Sequence, residues 1–141
     1  MEITEIQKEQ VRAIGEKFDL KFILLYGSYA KGTQDALSDL DIAVLGKKPI
    51  DFREYGKIYG ELSRVFGDIE RDLDVVVLDR KDSLFLYQVA KNSKLLYGST
   101  LDYNEFRAYA FRAYHDSRDL RMLQDKLMMR YQEHLNKTYV R

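Results

Sequence analysis

Apolar and polar residues change rhythm several times along this chain. Between residues 3 and 18, Val11, Ile14 and Phe18 recur at helical spacing, with Ile3 and Ile6 extending the stripe, which predicts an amphipathic helix. Leu20 to Tyr26 is a short, mostly apolar run that ends at Gly27, the pattern of a buried strand. Gly27 to Gly32 reads as a tight segment opening into a short helix or turn. Leu40 to Leu45 predicts a second strand, closed by Gly46 and Pro49. Asp51 with Glu54 fits a capping box, and the helix that follows buries Phe52, Tyr55, Tyr59, Leu62 and Phe66 before stopping near Gly67. Leu73 to Leu78 predicts a third strand, because β-branched residues dominate it. Ser83 caps a shorter helix over 84–93, and Leu95 to Tyr97 adds an edge strand. Asp102 with Glu105 repeats the capping pattern and starts a long helical tail, broken once near 115–117. No domain boundary interrupts residues 1–98, so these read as one core. Residues 99–141 read as a C-terminal helical extension, packed on the core and offered to a partner.

Composition narrows the picture. With 141 residues, 45% hydrophobic and 33% charged, the chain suits one soluble domain with its own core. Lys plus Arg and Asp plus Glu both number 23, so no basic nucleic-acid coat is expected. The balance is global but not local. Residues 1–103 carry 15 basic and 18 acidic side chains, whereas 104–141 carry 8 and 5, so the tail is the basic part. The absence of Cys excludes a disulfide scaffold, a thiolate metal site and a Cys nucleophile, and two His give little basis for a zinc site. No apolar run approaches the ~18 residues of a membrane span. The polar, acidic first ten residues do not read as a signal peptide, which makes a reducing cytoplasm the default location.

Chemistry concentrates between Gly27 and Asp41. Asp39 and Asp41 are two apart at the start of a strand, so both side chains emerge on one face while Leu40, Ile42 and Val44 enter the core. Two neighbouring carboxylates repel unless a cation lies between them, and Mg2+ suits oxygen ligands while keeping positions open for phosphate. Upstream, a strand feeds directly into Gly27 and Ser28. Glycine permits close backbone approach, amides at a helix start attract phosphate, and a hydroxyl adds a hydrogen bond. Lys31 lies in the same loop and can touch a phosphate or remain solvated. A third carboxylate, Asp74, stands at the head of the third strand; Asp72 is its rival, pointing to the same side but less firmly embedded. Three carboxylates around one or two Mg2+ ions would suit nucleotidyl transfer.

Gly-Ser, ten residues, then Asp-x-Asp, with a later strand Asp, resembles the polymerase β-type nucleotidyltransferase superfamily. The stretch Gly-Ser-Tyr-Ala-Lys-Gly…Ser-Asp-Leu-Asp-Ile-Ala-Val resembles its small prokaryotic branch, the minimal nucleotidyltransferases (MNT), over 1–98 and loosely beyond. The resemblance implies an α/β (α+β) fold with a small mixed sheet, helices mainly on one face and a helical tail. It implies Asp39 and Asp41 as metal ligands, Asp74 as ligand and base, and Gly27 and Ser28, with Lys31 near them, as the triphosphate loop. It also implies Mg2+ as cofactor and ATP as co-substrate. The partner implied is a HEPN-family RNase toxin, held in a hetero-oligomer and neutralised by AMP on a tyrosine hydroxyl. Two alternatives stand beside this: an antitoxin that only binds, and a small-molecule nucleotidyltransferase of the aminoglycoside type. Neither a membrane nor direct nucleic-acid binding is expected.

Outside this stretch the signals are plainer. His115 and His134 lack neighbours at metal-ligand spacing and read as surface or packing residues, and Tyr29 reads as packing on the turn, with stacking on a base the alternative. Tyr103, Tyr109, Tyr114 and Tyr131, with Arg107, Arg112 and Arg130, form an expected partner face, because aromatics and Arg dominate binding hot spots.

Overall fold

The computed structural model describes residues 3–27, 30, 32, 39–67 and 72–139. Its elements run α1 (Glu5–Lys17), β1 (Leu20–Tyr26), β2 (Leu40–Gly46), α2 (Phe52–Val65), β3 (Leu73–Val77), α3 (Ser83–Lys91), β4 (Ser93–Gly98), α4 (Thr100–Asp116) and α5 (Arg118–Tyr139). The sheet has the order β3-β2-β1-β4. β1 is antiparallel to β2 and β4, and β2 is parallel to β3, so the sheet is mixed. The parallel pair needs a crossover, which α2 supplies.

Alternation along the strands builds two cores. Ile23 and Leu25 of β1 and Ile42 and Val44 of β2 pack with Val11 and Ile14 of α1 and Ile58 and Leu62 of α2. Phe22, Leu24 and Ala43 point the other way, against Leu86 and Val89 of α3 and Ala110 of α4. The helices are therefore shared between both faces rather than gathered mainly on one. The cause is that β1 is apolar at almost every position, so neither of its faces can be left to solvent. Leu62 is fully buried, and truncation to Ala would cost about 2–5 kcal/mol.

Local chemistry fixes the helix starts. Thr4 and Gln7 form a reciprocal capping box at α1, which the apolar stripe alone does not reveal. Asp51 accepts from the Glu54 amide at 2.7 Å, as its spacing implies. At α3 the cap is Asp82, which accepts from the Phe85 amide at 2.8 Å, one residue before the expected Ser83. At α4 it is Ser99, accepting from the Asp102 amide at 3.0 Å, and Asp102 lies within the first turn. The helix starts early because β4 ends at Gly98, whose φ of +116° turns the chain at once. The break near residue 117 is present: α4 ends at Asp116 and α5 starts at Arg118.

β3 is an outer strand, and its free carbonyls are covered by tyrosines of α2. Tyr55 donates to the Val75 carbonyl at 2.8 Å and Tyr59 to the Leu73 carbonyl at 3.3 Å, which blunts an edge that could otherwise template pairing. Among the described residues no helix is long and apolar enough to cross a membrane.

Candidate active site

Asp41 is the second residue of β2 and Asp74 the second of β3. The parallel register sets these two side by side. The antiparallel register of β1 and β2 sets Tyr26 beside Asp41. Tyr26, Asp41 and Asp74 thus form one row across three adjacent strands. Tyr26 packs with the α3–α4 cluster, and alternation turns Asp41 to the same face, opposite its buried neighbours Leu40 and Ile42. Helices α3 and α4 cover the β1–β4 side of that face, and Asp74 is exposed. Asp39 lies exposed just ahead of β2, and Asp72 precedes β3, so the register brings Asp74 rather than Asp72 opposite Asp41. Ser28, Tyr29 and Lys31 lie outside the described residues.

The row is electrostatically loaded. Partial burial first, then the charges of Asp74 and Asp39, push the Asp41 carboxyl up to about 6. Burial, then Asp41, then Asp74 raise the Tyr26 phenol well above its ordinary value. Burial and Asp74 raise Tyr55 as well, so the negative potential reaches the α2 side of β3. A phenol held neutral beside two carboxylates remains a hydrogen-bond donor.

Gly27 follows Tyr26 with φ of +75°, a conformation that favours glycine. A Cβ on Gly27 would press into the Asp41 carboxylate, well inside van der Waals contact. The backbone at the mouth of the loop therefore approaches the carboxylate as closely as only glycine allows. The sequence singles out Gly27, Asp39, Asp41 and Asp74 but not Tyr26, although the alternation Phe22, Leu24, Tyr26 already puts it on the face of Asp41.

Among the described residues no group of three or more His, Cys, Asp or Glu side chains is gathered as a ready metal site. The donor set nonetheless fits Mg2+, which is commonly held by one or two carboxylates plus substrate phosphates and keeps several waters. Asp41 and Asp74 supply adjacent hard oxygens, and the raised Asp41 carboxyl marks a place short of positive charge.

The aromatic and Arg residues of the tail divide into two groups. Tyr103 donates to the Ser93 carbonyl at 3.0 Å, and Arg107 donates to the Ala90 carbonyl at 3.1 Å while lying over the Tyr103 and Phe111 rings. Tyr114 stacks on Tyr87 with centroids 3.9 Å apart and lies under Arg121. These side chains fasten the tail to the core. Tyr109 and Tyr131 remain exposed, as do Arg112, Arg130, His115 and His134. On α5, Leu120, Leu123, Leu127 and Met128 are exposed too.

The carboxylate row has a stability consequence. A folded-state value near 6, against the ordinary 3.8, means that folding takes up a proton between those pH values. Asp41 therefore costs stability as pH rises through 6. Asp41→Asn should raise the melting temperature at pH 7.5 by about 3–5 °C, or about 1 kcal/mol after discounting for solvent screening. At pH 4 the gain should shrink towards zero. Melting curves at the two pH values, without divalent cations, check both the sign and the window.

The chain matches the family described as Polymerase beta, Nucleotidyltransferase over residues 9–101, well over half its length. It is 34% identical over 83 residues to the protein adenylyltransferase MntA of Shewanella oneidensis, a match covering 59% of this chain. The matched stretch spans 58% of that relative's own length. A chain of a solved toxin–antitoxin complex with AMP-PNP is 27% identical with a TM-score of 0.70, over 86% of this chain and 98% of that one. A complex of tri-AMPylated Shewanella oneidensis HEPN toxin with MNT antitoxin contains a chain of the same fold, with a TM-score of 0.67 at 23% identity over 88% of this chain and 98% of that one. With its paired strand carboxylates, the Gly27 backbone set against Asp41 and this family match, the chain belongs to the polymerase β nucleotidyltransferase family and carries that family's nucleotidyltransferase domain.

Proposed function

We propose that the chain transfers AMP from ATP to a tyrosine hydroxyl of a HEPN-family toxin and thereby neutralises it. The observation that carries this reading is the Asp41–Asp74 pair on parallel strands, with the Gly27 backbone pressed against Asp41. The MntA relative is named a protein adenylyltransferase, and the chain similar at 27% identity belongs to a toxin–antitoxin complex with AMP-PNP, both of which support the reading.

The chemistry is one displacement at phosphorus. The acceptor oxygen forms a bond to the α-phosphorus, the bond to the β-phosphate bridging oxygen breaks, and pyrophosphate leaves. The acceptor proton passes to a carboxylate, for which the exposed Asp74 is the candidate. Asp39, Asp41 and Asp74 would hold Mg2+, which when bound neutralises phosphate charge and lowers the acceptor's pKa. Gly27, and with it Ser28 and Lys31, would receive the triphosphate. The close approach of the Gly27 backbone to Asp41 would set the triphosphate beside the metal ligands, so that ATP and acceptor meet in line. Docking of the toxin falls to the exposed residues of the 99–141 extension, where Tyr109, Tyr131 and the α5 leucines leave apolar surface uncovered.

The nucleotide half of this reading is tested on the purified chain. Mg-ATP at a hundredfold excess over its dissociation constant should stabilise the fold by about 2.7 kcal/mol, and a chelator should remove the effect. Calorimetry that detects no Mg-dependent ATP binding, with the chain alone and with its partner, would favour an antitoxin that acts by binding only.

A further inference from the structure

The row of side chains across the sheet has a direction. The strand order β3-β2-β1 puts Asp74 at one end, Asp41 in the middle and Tyr26 at the other end. Building on the nucleotidyl-transfer reading above, we infer that Tyr26 is a further catalytic residue, whose hydroxyl donates a hydrogen bond to the departing pyrophosphate.

An in-line displacement gives the two ends of the row different tasks, because the attacking and leaving oxygens stand on opposite sides of the α-phosphorus. With the acceptor proton passing to Asp74 and the phosphates held at Asp41, pyrophosphate leaves towards β1. Tyr26 ends β1 on that side, and Gly27, the next residue, lies against Asp41. Negative charge grows on the leaving oxygen as its bond to phosphorus breaks. The carboxylates are anions and cannot donate to it. A phenol carries its proton at neutral pH and can. It keeps that proton throughout, so the displacement itself is unchanged.

The length of the side chain suits this task. Tyr26 packs with the α3–α4 cluster, and its ring meets Phe85 of α3 edge-on, with centroids 6.2 Å apart. The ring therefore stands away from the sheet towards the helices. Residues opposite one another on neighbouring strands have Cβ atoms about 4.5–5.5 Å apart. A carboxylate ends one carbon beyond its Cβ, whereas the phenol oxygen ends a whole ring beyond. Tyr26 thus reaches the level of a group held by Asp41 rather than that of Asp41 itself. It is half-buried and lines a cleft of about 520 Å3 together with Gly27, so a ligand has access to it. Other tyrosines against the sheet spend their hydroxyls on backbone: Tyr55 on the Val75 carbonyl, Tyr59 on that of Leu73 and Tyr103 on that of Ser93. Among the described residues Tyr26 has no such carbonyl partner.

Tyr26→Phe in the full-length chain provides the test, because it keeps the ring and its contact with Phe85. Circular dichroism and melting curves check that the fold is kept. Single-turnover AMP transfer from ATP should fall at least about tenfold, the scale of a lost donor to transition-state charge. The loss should also depend on the leaving group. β,γ-Methylene ATP expels a more basic group and β,γ-difluoromethylene ATP a less basic one, so the loss should be larger with the first than with the second. Calorimetry gives a reading that needs no transfer: Mg-pyrophosphate should bind the variant at least about threefold more weakly, with AMP affinity unchanged. A hydroxyl that only oriented Asp41 would slow both analogues alike and leave pyrophosphate affinity as it was. That pattern, or wild-type transfer by the variant, overturns the assignment while the nucleotidyl-transfer reading stands. If the wild-type chain neither binds Mg-ATP nor transfers AMP, both fall together.

Discussion

Asp41→Asn combined with Asp74→Asn should abolish AMP transfer while leaving a folded, slightly more stable protein. We expect a rate loss of at least about a thousandfold, equivalent to about 4 kcal/mol of barrier. The two losses should not add, because the residues would serve one metal–phosphate centre and either change alone removes most of its function. Stability should move the opposite way. Asp41 is raised by burial and by its acidic neighbours, so neutralising the row relieves repulsion. Loss of activity with a gain in melting temperature distinguishes a catalytic pair from a structural one. Single-turnover transfer assays and melting curves on the same preparations provide both readings. A double variant with wild-type, Mg-dependent transfer would remove these residues from the mechanism.

The second large effect belongs to Gly27. Gly27→Ala places a methyl group against the Asp41 carboxylate and requires a non-glycine residue at φ of +75°. The backbone conformation alone costs about 1–2 kcal/mol. Relief of the contact must shift either the loop or the carboxylate, and a misplacement of about 1 Å can cost a hundredfold in rate. We therefore expect transfer to fall at least about a hundredfold, with a melting temperature lowered by several degrees. Gly56→Ala and Gly60→Ala are the controls. Both positions lie in α2, and nothing is within 4 Å of a Cβ built there. Each should leave transfer intact and stabilise the helix by about 0.5–1 kcal/mol. Equal losses at Gly27 and Gly56 would mean that glycine content rather than the Asp41 contact matters.

Much of this arrangement was legible before any coordinates. The strand around Asp74 announced itself through Val75, Val76 and Val77, and the alternation at Leu40, Asp41 and Ile42 put the Asp41 side chain opposite the core. What periodicity could not supply was the order of strands. Asp41 and Asp74 are 33 residues apart in sequence, and their meeting depends on β3 pairing with β2 in parallel register. That is a tertiary outcome of the α2 crossover. The distribution of helices over both faces followed from burial on both sides of β1, which a continuous apolar run signals without saying what covers each side. The tail was half legible. Its aromatic and Arg content was plain, but Tyr103, Arg107 and Tyr114 face the core, and only long-range contacts to Ser93, Ala90 and Tyr87 reveal it.

The central claim is that Asp41 and Asp74 drive AMP transfer to a partner protein. Intact-mass and peptide mass spectrometry of the HEPN-family toxin, co-expressed with either the wild-type chain or Asp41→Asn, tests it most directly. The account predicts added AMP on a toxin tyrosine with the wild type, none with the variant, and toxicity restored only by the variant. A toxin that stays neutralised without ever gaining AMP, equally with both forms, would contradict it.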